Sequence, residues 1–315
     1  MKGIILLSFV GFGDILISQT LKGGSNMYYY YALIIISVLM FGGGFALQDV
    51  YRKMRGSNLK TSMESACIGS LAGLIVLLII NGFDFELTGF TFIMALCTAL
   101  NGMLFSFFAF RALDVINLSL FSLFSMLGGM LIPFLQGIIF YGEKITLAKI
   151  LCVLFICIAL ALTLDRGEKR KGFIYYAGVF VLNGMAGVIT KLYNELPFVK
   201  ASAAGYSVWC AVTTAVLSGA VWLVLLLKQM ENRPLTLSAG GVSAVCGAIN
   251  KVANFLLVIA LMHVEASVQY PMVTGGVMIV STAICFLGDR KPSKKELYSV
   301  ALAFAAMLVL FIIPI

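Results

Sequence analysis

Apolar and polar positions along this chain come in blocks rather than in alternation. Ten long apolar runs cover residues 30–50, 62–82, 89–110, 118–140 and 147–164, then 173–190, 203–227, 238–261, 266–287 and 296–314. A membrane-spanning helix needs about 20 mostly apolar residues, so these runs predict ten transmembrane helices joined by short polar connections. A weaker run, 3–20, carries Asp14 near its middle and is followed by Lys22-Gly23-Gly24-Ser25-Asn26. It reads as an extra span, as a signal peptide opening at Lys2, or as a leader ahead of a start at Met27, although no small-x-small cleavage site stands out.

Composition agrees with the blocks. Of 315 residues, 61% are apolar and 11% charged, too few polar side chains to cover a water-soluble surface. Mean hydropathy is +1.03. No polar stretch is long enough to fold as a separate aqueous domain, so function is expected among the helices. The net charge of +8 lies in short loops between apolar runs, which suits membrane orientation and lipid headgroups and not nucleic acid. The cysteines, Cys67, Cys97, Cys152, Cys157, Cys210, Cys246 and Cys285, fall within apolar runs and show no C-x-x-C spacing. They read as small hydrophobes, not as metal ligands or disulfides.

The two halves of the chain resemble each other. Ala112, Leu113, Ser119 and Gly128 recur as Ala260, Leu261, Ser267 and Gly276 at a constant offset of 148 residues. Gly142-Glu143-Lys144-Ile145-Thr146 is echoed by Gly288-Asp289-Arg290-Lys291-Pro292-Ser293: in each, an acid and a base precede a hydroxyl residue that opens the next run. Ala99-Leu100-Asn101 corresponds to Ala248-Ile249-Asn250. Val38-Leu39, Gly44 and Gln48 correspond to Val181-Leu182, Gly187 and Lys191 at an offset of 143. Five spans per repeat is an odd number, so the second half must enter the membrane in the opposite sense, and the repeats are expected to be inverted.

The Ala-Leu-x-x-x-x-x-Ser element at Ala112 to Ser119, followed by Gly-Glu-x-x-Thr at Gly142 to Thr146 and echoed in the second half, resembles the EamA-like branch of the drug/metabolite transporter superfamily. The likeness covers residues 28–315. It implies an all-α membrane protein, a ten-helix transporter of two inverted five-helix repeats (27–168 and 169–315) with a central cavity that moves amino acids, other metabolites or drugs, often outward. The chain departs from the family pattern in the extra segment 1–26, in Asp289 where glutamate is common, and in lacking a basic tail after the last span.

Candidate site residues are polar groups placed where lipid would penalise them. Lys251 lies near the centre of span 238–261, where an ammonium costs about 2.5–3.5 kcal/mol on insertion scales, so it is expected to face a cavity or a partner. Asn250 and Asn254 accompany it on the same helix, one turn apart. Asn101 and Asn183 lie within spans and either line the cavity or join helices by hydrogen bonds. Glu64 lies near a helix start and reads as a capping or interfacial residue. Gln48 and Lys191 read as interfacial, and His263, beside Glu265, reads as a solvated turn residue. Glycines at 42–44, 128–129 and 275–276 are expected to let helices approach closely.

These features predict a secondary transporter of a small organic solute working by alternating access, with no cofactor and no covalent catalysis. A passive channel is the alternative, and a membrane-embedded enzyme is disfavoured because the chain has no paired acids, histidine cluster or nucleotide-binding loop. Any coupling ion is left open. The odd-numbered connections between spans carry fifteen Lys or Arg and the even-numbered ones four, which predicts a multi-pass cell-membrane protein with the odd connections inside.

Overall fold

The computed structural model describes residues 27–83, 85–141, 146–163, 172–228, 235–261, 263–264, 266–288 and 291–312. The run 3–20 with Asp14, the turn 142–145 and residues Glu265, Asp289 and Arg290 lie outside them. Ten helices are present among the described residues: α1 (Met27–Arg55), α2 (Leu59–Ile80), α3 (Gly89–Val115), α4 (Leu118–Tyr141), α5 (Leu147–Thr163), α6 (Phe173–Glu195), α7 (Ala203–Leu227), α8 (Leu237–Leu261), α9 (Ala266–Cys285) and α10 (Lys294–Ile312). Each sits on an expected apolar run. Seven of them, α1 to α4 and α6 to α8, are long and apolar enough to cross a membrane.

Helix ends follow local chemistry. The Asn58 side chain accepts from the Thr61 N–H at the start of α2, Thr88 does the same for Thr91 at α3, and Ser202 does so for Gly205 at α7. At α10 the expected hydroxyl opening takes reciprocal form: the Glu296 N–H donates to Ser293 Oγ while the Ser293 N–H donates to Glu296 Oε2. Helices α1, α3 and α6 run up to five residues past their apolar runs. In α1 and α3 the extensions hold charges that pair, Arg52 with Asp49 and with Asp114, so helix continues where composition alone would end it.

The principal packing crosses between residues 27–168 and 169–315. Helix α1 packs on α8 and α9, α6 on α3 and α4, α2 on α7 and α8, and α7 on α3. Helix α4 also packs on α9, and α5 on α10. The two stretches are therefore interlocked, and the boundary near residue 168 is not a packing boundary.

Small residues permit this interlocking. A Cβ on Gly247 would stand 2.1 Å from Gly69 Cα, so α2 and α8 touch backbone to backbone. A Cβ on Gly128 would stand 1.9 Å from the Phe180 carbonyl oxygen, which sets α4 equally close to α6. Ser37, Ser119 and Ser122 are fully buried. Ser37 and Ser122 satisfy their hydroxyls on carbonyls of their own helices, and Ser119 meets Thr282 of α9 at 2.9 Å. The outer faces expose Ile35, Leu39, Ile75, Ile93, Leu104, Val216 and Leu223. Such a surface is stable only against lipid. The chain is an all-helical, multi-pass membrane protein.

Candidate functional site

Contacts gather the helix ends beside the odd-numbered connections at one end of the bundle: Ser57 bonds Asp114, Gly172 lies against Val115, and Ala239 packs with Tyr51 and Phe110. Contacts at the two ends agree: Asn117 meets Glu296 at 2.6 Å at the odd-connection end, and Tyr30 stacks on His263 at 4.1 Å at the other. The odd-connection end holds Arg52, Lys53, Arg55 and Lys60, and is here called the basic end.

The basic end is closed by a buried ionic cluster. Arg55 reaches Glu64 through two bonds, Nε to Oε1 at 2.8 Å and Nη2 to Oε2 at 2.7 Å, and Tyr51 donates its hydroxyl to Oε1 at 2.5 Å. Tyr51, Arg55 and Glu64 are 0%, 4% and 1% exposed. Glu64 is therefore neither a cap nor an interfacial residue; it neutralises a buried guanidinium and ties α2 to α1. Phe110 of α3 and Ala239 of α8 pack around Tyr51.

The opposite end closes without an ion pair among the described residues: Lys200 donates to the Asn194 carbonyl and Glu86 accepts from the Ser202 N–H. Tyr193 of α6 donates to the Ala201 carbonyl at 2.8 Å, lies 3.3 Å from the Thr91 hydroxyl and stacks on Tyr206 at 4.0 Å. Phe90 stacks on the same ring at 5.7 Å. Tyr206 and Thr98 share a 2.8 Å hydrogen bond one level deeper.

Lys251 lies between these two ends. Its stem crosses Gly73 of α2, where a Cβ would meet Lys251 Cγ at 2.5 Å. One turn on, Phe255 packs against Leu77 of α2 and Val208 of α7. The side chain therefore points among α2, α7 and α8. Asn250, one residue earlier, turns to α1: it abuts Gly44 and donates to the Cys246 carbonyl at 2.8 Å. Asn254 is exposed and donates to the Asn250 carbonyl at 2.8 Å. The two asparagines share a helix face, and Lys251 does not share it.

Asn101 donates to the Leu182 carbonyl at 2.9 Å, joining α3 to α6. Asn183 donates to the Ser125 carbonyl at 2.7 Å, joining α6 to α4. His263 is exposed, as expected of a turn residue, and its ring is held on Tyr30. A groove of about 580 Å³ between α4 and α6, lined by Ile132, Leu135, Ile139 and Val188 with Gln136 as its polar member, faces outward and away from Lys251. Among the described residues no group of three metal-ligating side chains is present.

The sequence reading passed over Tyr51, Arg55, Tyr193, Tyr206, Thr98 and Asn117. A signal for two of them existed, since Tyr51 and Tyr193 stand in the final turns of the first helix of each half.

No protein-family model matches the chain, and no curated protein matches it in sequence. A solved crystal structure described only as that of a protein superposes with a TM-score of 0.60 at 17% identity, covering 90% of this chain and 96% of that one. The likeness is one of fold.

Proposed function

We propose that this protein is a secondary transporter of the cell membrane that moves a small organic solute, such as an amino acid, another metabolite or a drug, with export as the expected direction. It crosses the bilayer ten times as two inverted five-helix repeats of the EamA-like kind. What carries the reading is the exchange behaviour of the packing. Advancing each helix by five turns the pair α1 with α8 into α6 with α3, α1 with α9 into α6 with α4, and α2 with α8 into α7 with α3. The pairs α2 with α7, α4 with α9 and α5 with α10 map onto themselves.

Residue contacts follow the same exchange. Gly128 abuts Phe180 of α6, and Gly276 abuts Val38 of α1, the repeat counterpart of Val181. Two halves that can swap conformations expose an interior site alternately to each side, and a cation at mid-depth with separately built closures above and below suits that cycle.

Counterflow in proteoliposomes tests the proposal. A carrier preloaded with unlabelled solute accumulates label transiently and saturates; flux that neither saturates nor shows counterflow would instead support a passive channel. Orientation is tested with single cysteines at Gly56 and Val199 in a cysteine-free background. An impermeant thiol reagent on intact cells should label position 199 alone, and label at position 56 alone would reverse the assignment.

A further inference from the structure

We infer that the interior around Lys251 receives a solute carrying a single carboxylate, with Lys251 as its counter-ion; only the solute's onward movement rests on the transporter reading above.

Depth comes first. Lys251 stands fourteen residues after Leu237 and ten before Leu261. At 1.5 Å per residue that is about 20 Å and about 15 Å from the helix ends, beyond what a lysine stem can bridge by snorkelling. The side chain also lies against α2, because its stem packs on Gly73.

Charge comes second. No acid among the described residues forms an ion pair with Lys251. Asp49 and Asp114 pair with Arg52 and Glu64 pairs with Arg55 at the basic end, where Glu296 also bonds Asn117; Glu86 bonds the Ser202 N–H at the opposite end, where Glu195 ends α6. Every one of these acids lies near a helix terminus. An ammonium in a low-dielectric interior is costly without a counter-charge, and the protein supplies none at that depth among the described residues. A bound anion would supply it.

The class of anion follows from what surrounds the cation. One ammonium neutralises one negative charge, whereas a phosphate dianion would keep an excess charge in the same low-dielectric space. Arginine, the usual partner of bidentate phosphates, occurs among the described residues at positions 52, 55 and 111, all towards the basic end. Phe255, one turn after Lys251, packs with Leu77 and Val208 and gives an apolar body a wall. A monocarboxylate with a hydrocarbon or aromatic body satisfies each of these demands.

The test uses the purified full-length protein. Thermal unfolding is followed with butyrate, benzoate or phenylacetate and with the corresponding amides, at matched ionic strength, for the wild type, Lys251→Met and Lys251→Arg. At least one carboxylate should raise Tm by a few degrees in a saturable way while its amide does not; Lys251→Met should lose the rise and Lys251→Arg should keep part of it. Equal stabilisation by an amide, a carboxylate effect that survives in Lys251→Met, or no carboxylate effect at saturating concentration would overturn the proposal. Lys251→Met removes an uncompensated charge, so its own Tm, at or above the wild-type value, verifies that it is folded. Counterflow of labelled benzoate, butyrate and phenylacetate separates the two readings. Carboxylate stabilisation without counterflow keeps this site and defeats the carrier; counterflow of a neutral or cationic solute without carboxylate stabilisation does the reverse.

Discussion

The final turns of α1 and α6 lie at opposite ends of the bundle, and each buries a tyrosine, yet the hydroxyls meet different chemistry. Tyr51 donates to a carboxylate already held by a guanidinium, all three groups being almost wholly buried. Tyr193 donates to a backbone carbonyl and lies among the rings of Tyr206 and Phe90. The two ends are fastened differently. An ionic cluster without solvent resists partial opening, because Glu64 and Arg55 must be rehydrated together or stay together. Stacked rings and neutral hydrogen bonds separate by smaller increments, each worth about 0.5–1.5 kcal/mol. The basic end is therefore expected to open as a unit, and the aromatic end more gradually.

Removing one member of the ionic cluster breaks this comparison most severely. Glu64→Ala leaves the Arg55 guanidinium buried and uncompensated, and is expected to cost about 3–5 kcal/mol, seen as a large fall in Tm and in membrane abundance. Restoring much of the loss with a second change, Arg55→Met, would show that the cost is the stranded charge. If Glu64→Ala melts like the wild type, the cluster does not hold the basic end.

A smaller effect sharpens the correspondence between halves. Gly128→Ala places a methyl against the backbone of Phe180, and Gly276→Ala places one against the Val38 side chain, which can rotate. Both should destabilise by about 1–3 kcal/mol, with Gly128→Ala the worse. Thermal unfolding of the pair in one detergent decides the ranking, and equal or reversed values contradict it.

At the aromatic end, Tyr193→Phe keeps the ring stack and deletes the hydroxyl. It should cost about 1 kcal/mol, well below Glu64→Ala in the same assay, and a cost as large would erase the difference between the ends. Gly43→Ala is the background measurement. A Cβ there meets nothing within 4 Å and the site is helical, so Tm should hold or rise, by the equivalent of up to about 1 kcal/mol, and a fall would contradict the open space.

The sequence by itself determined where the helices lie. Run length, the polar breaks, and capping residues such as Asn58, Ser202 and the Ser293 and Glu296 pair are one-dimensional properties, and each helix took its expected run. It also determined that Lys251 lies too deep for easy snorkelling. Which way each polar side chain turns was decided only by the tertiary structure. Asn250 faces α1 while its neighbour Lys251 lies against α2, a turn of about 100° that adjacent positions in a helix impose but that no pattern of residues could assign to particular partners. Asn254 is exposed, and Glu64 found Arg55 across a helical hairpin. The physical reason is the solvent. In water the apolar stripe of a helix marks its inner face, but lipid is as apolar as the core, so the stripe carries no direction and small residues and rare polar ones choose their faces only when the helices meet.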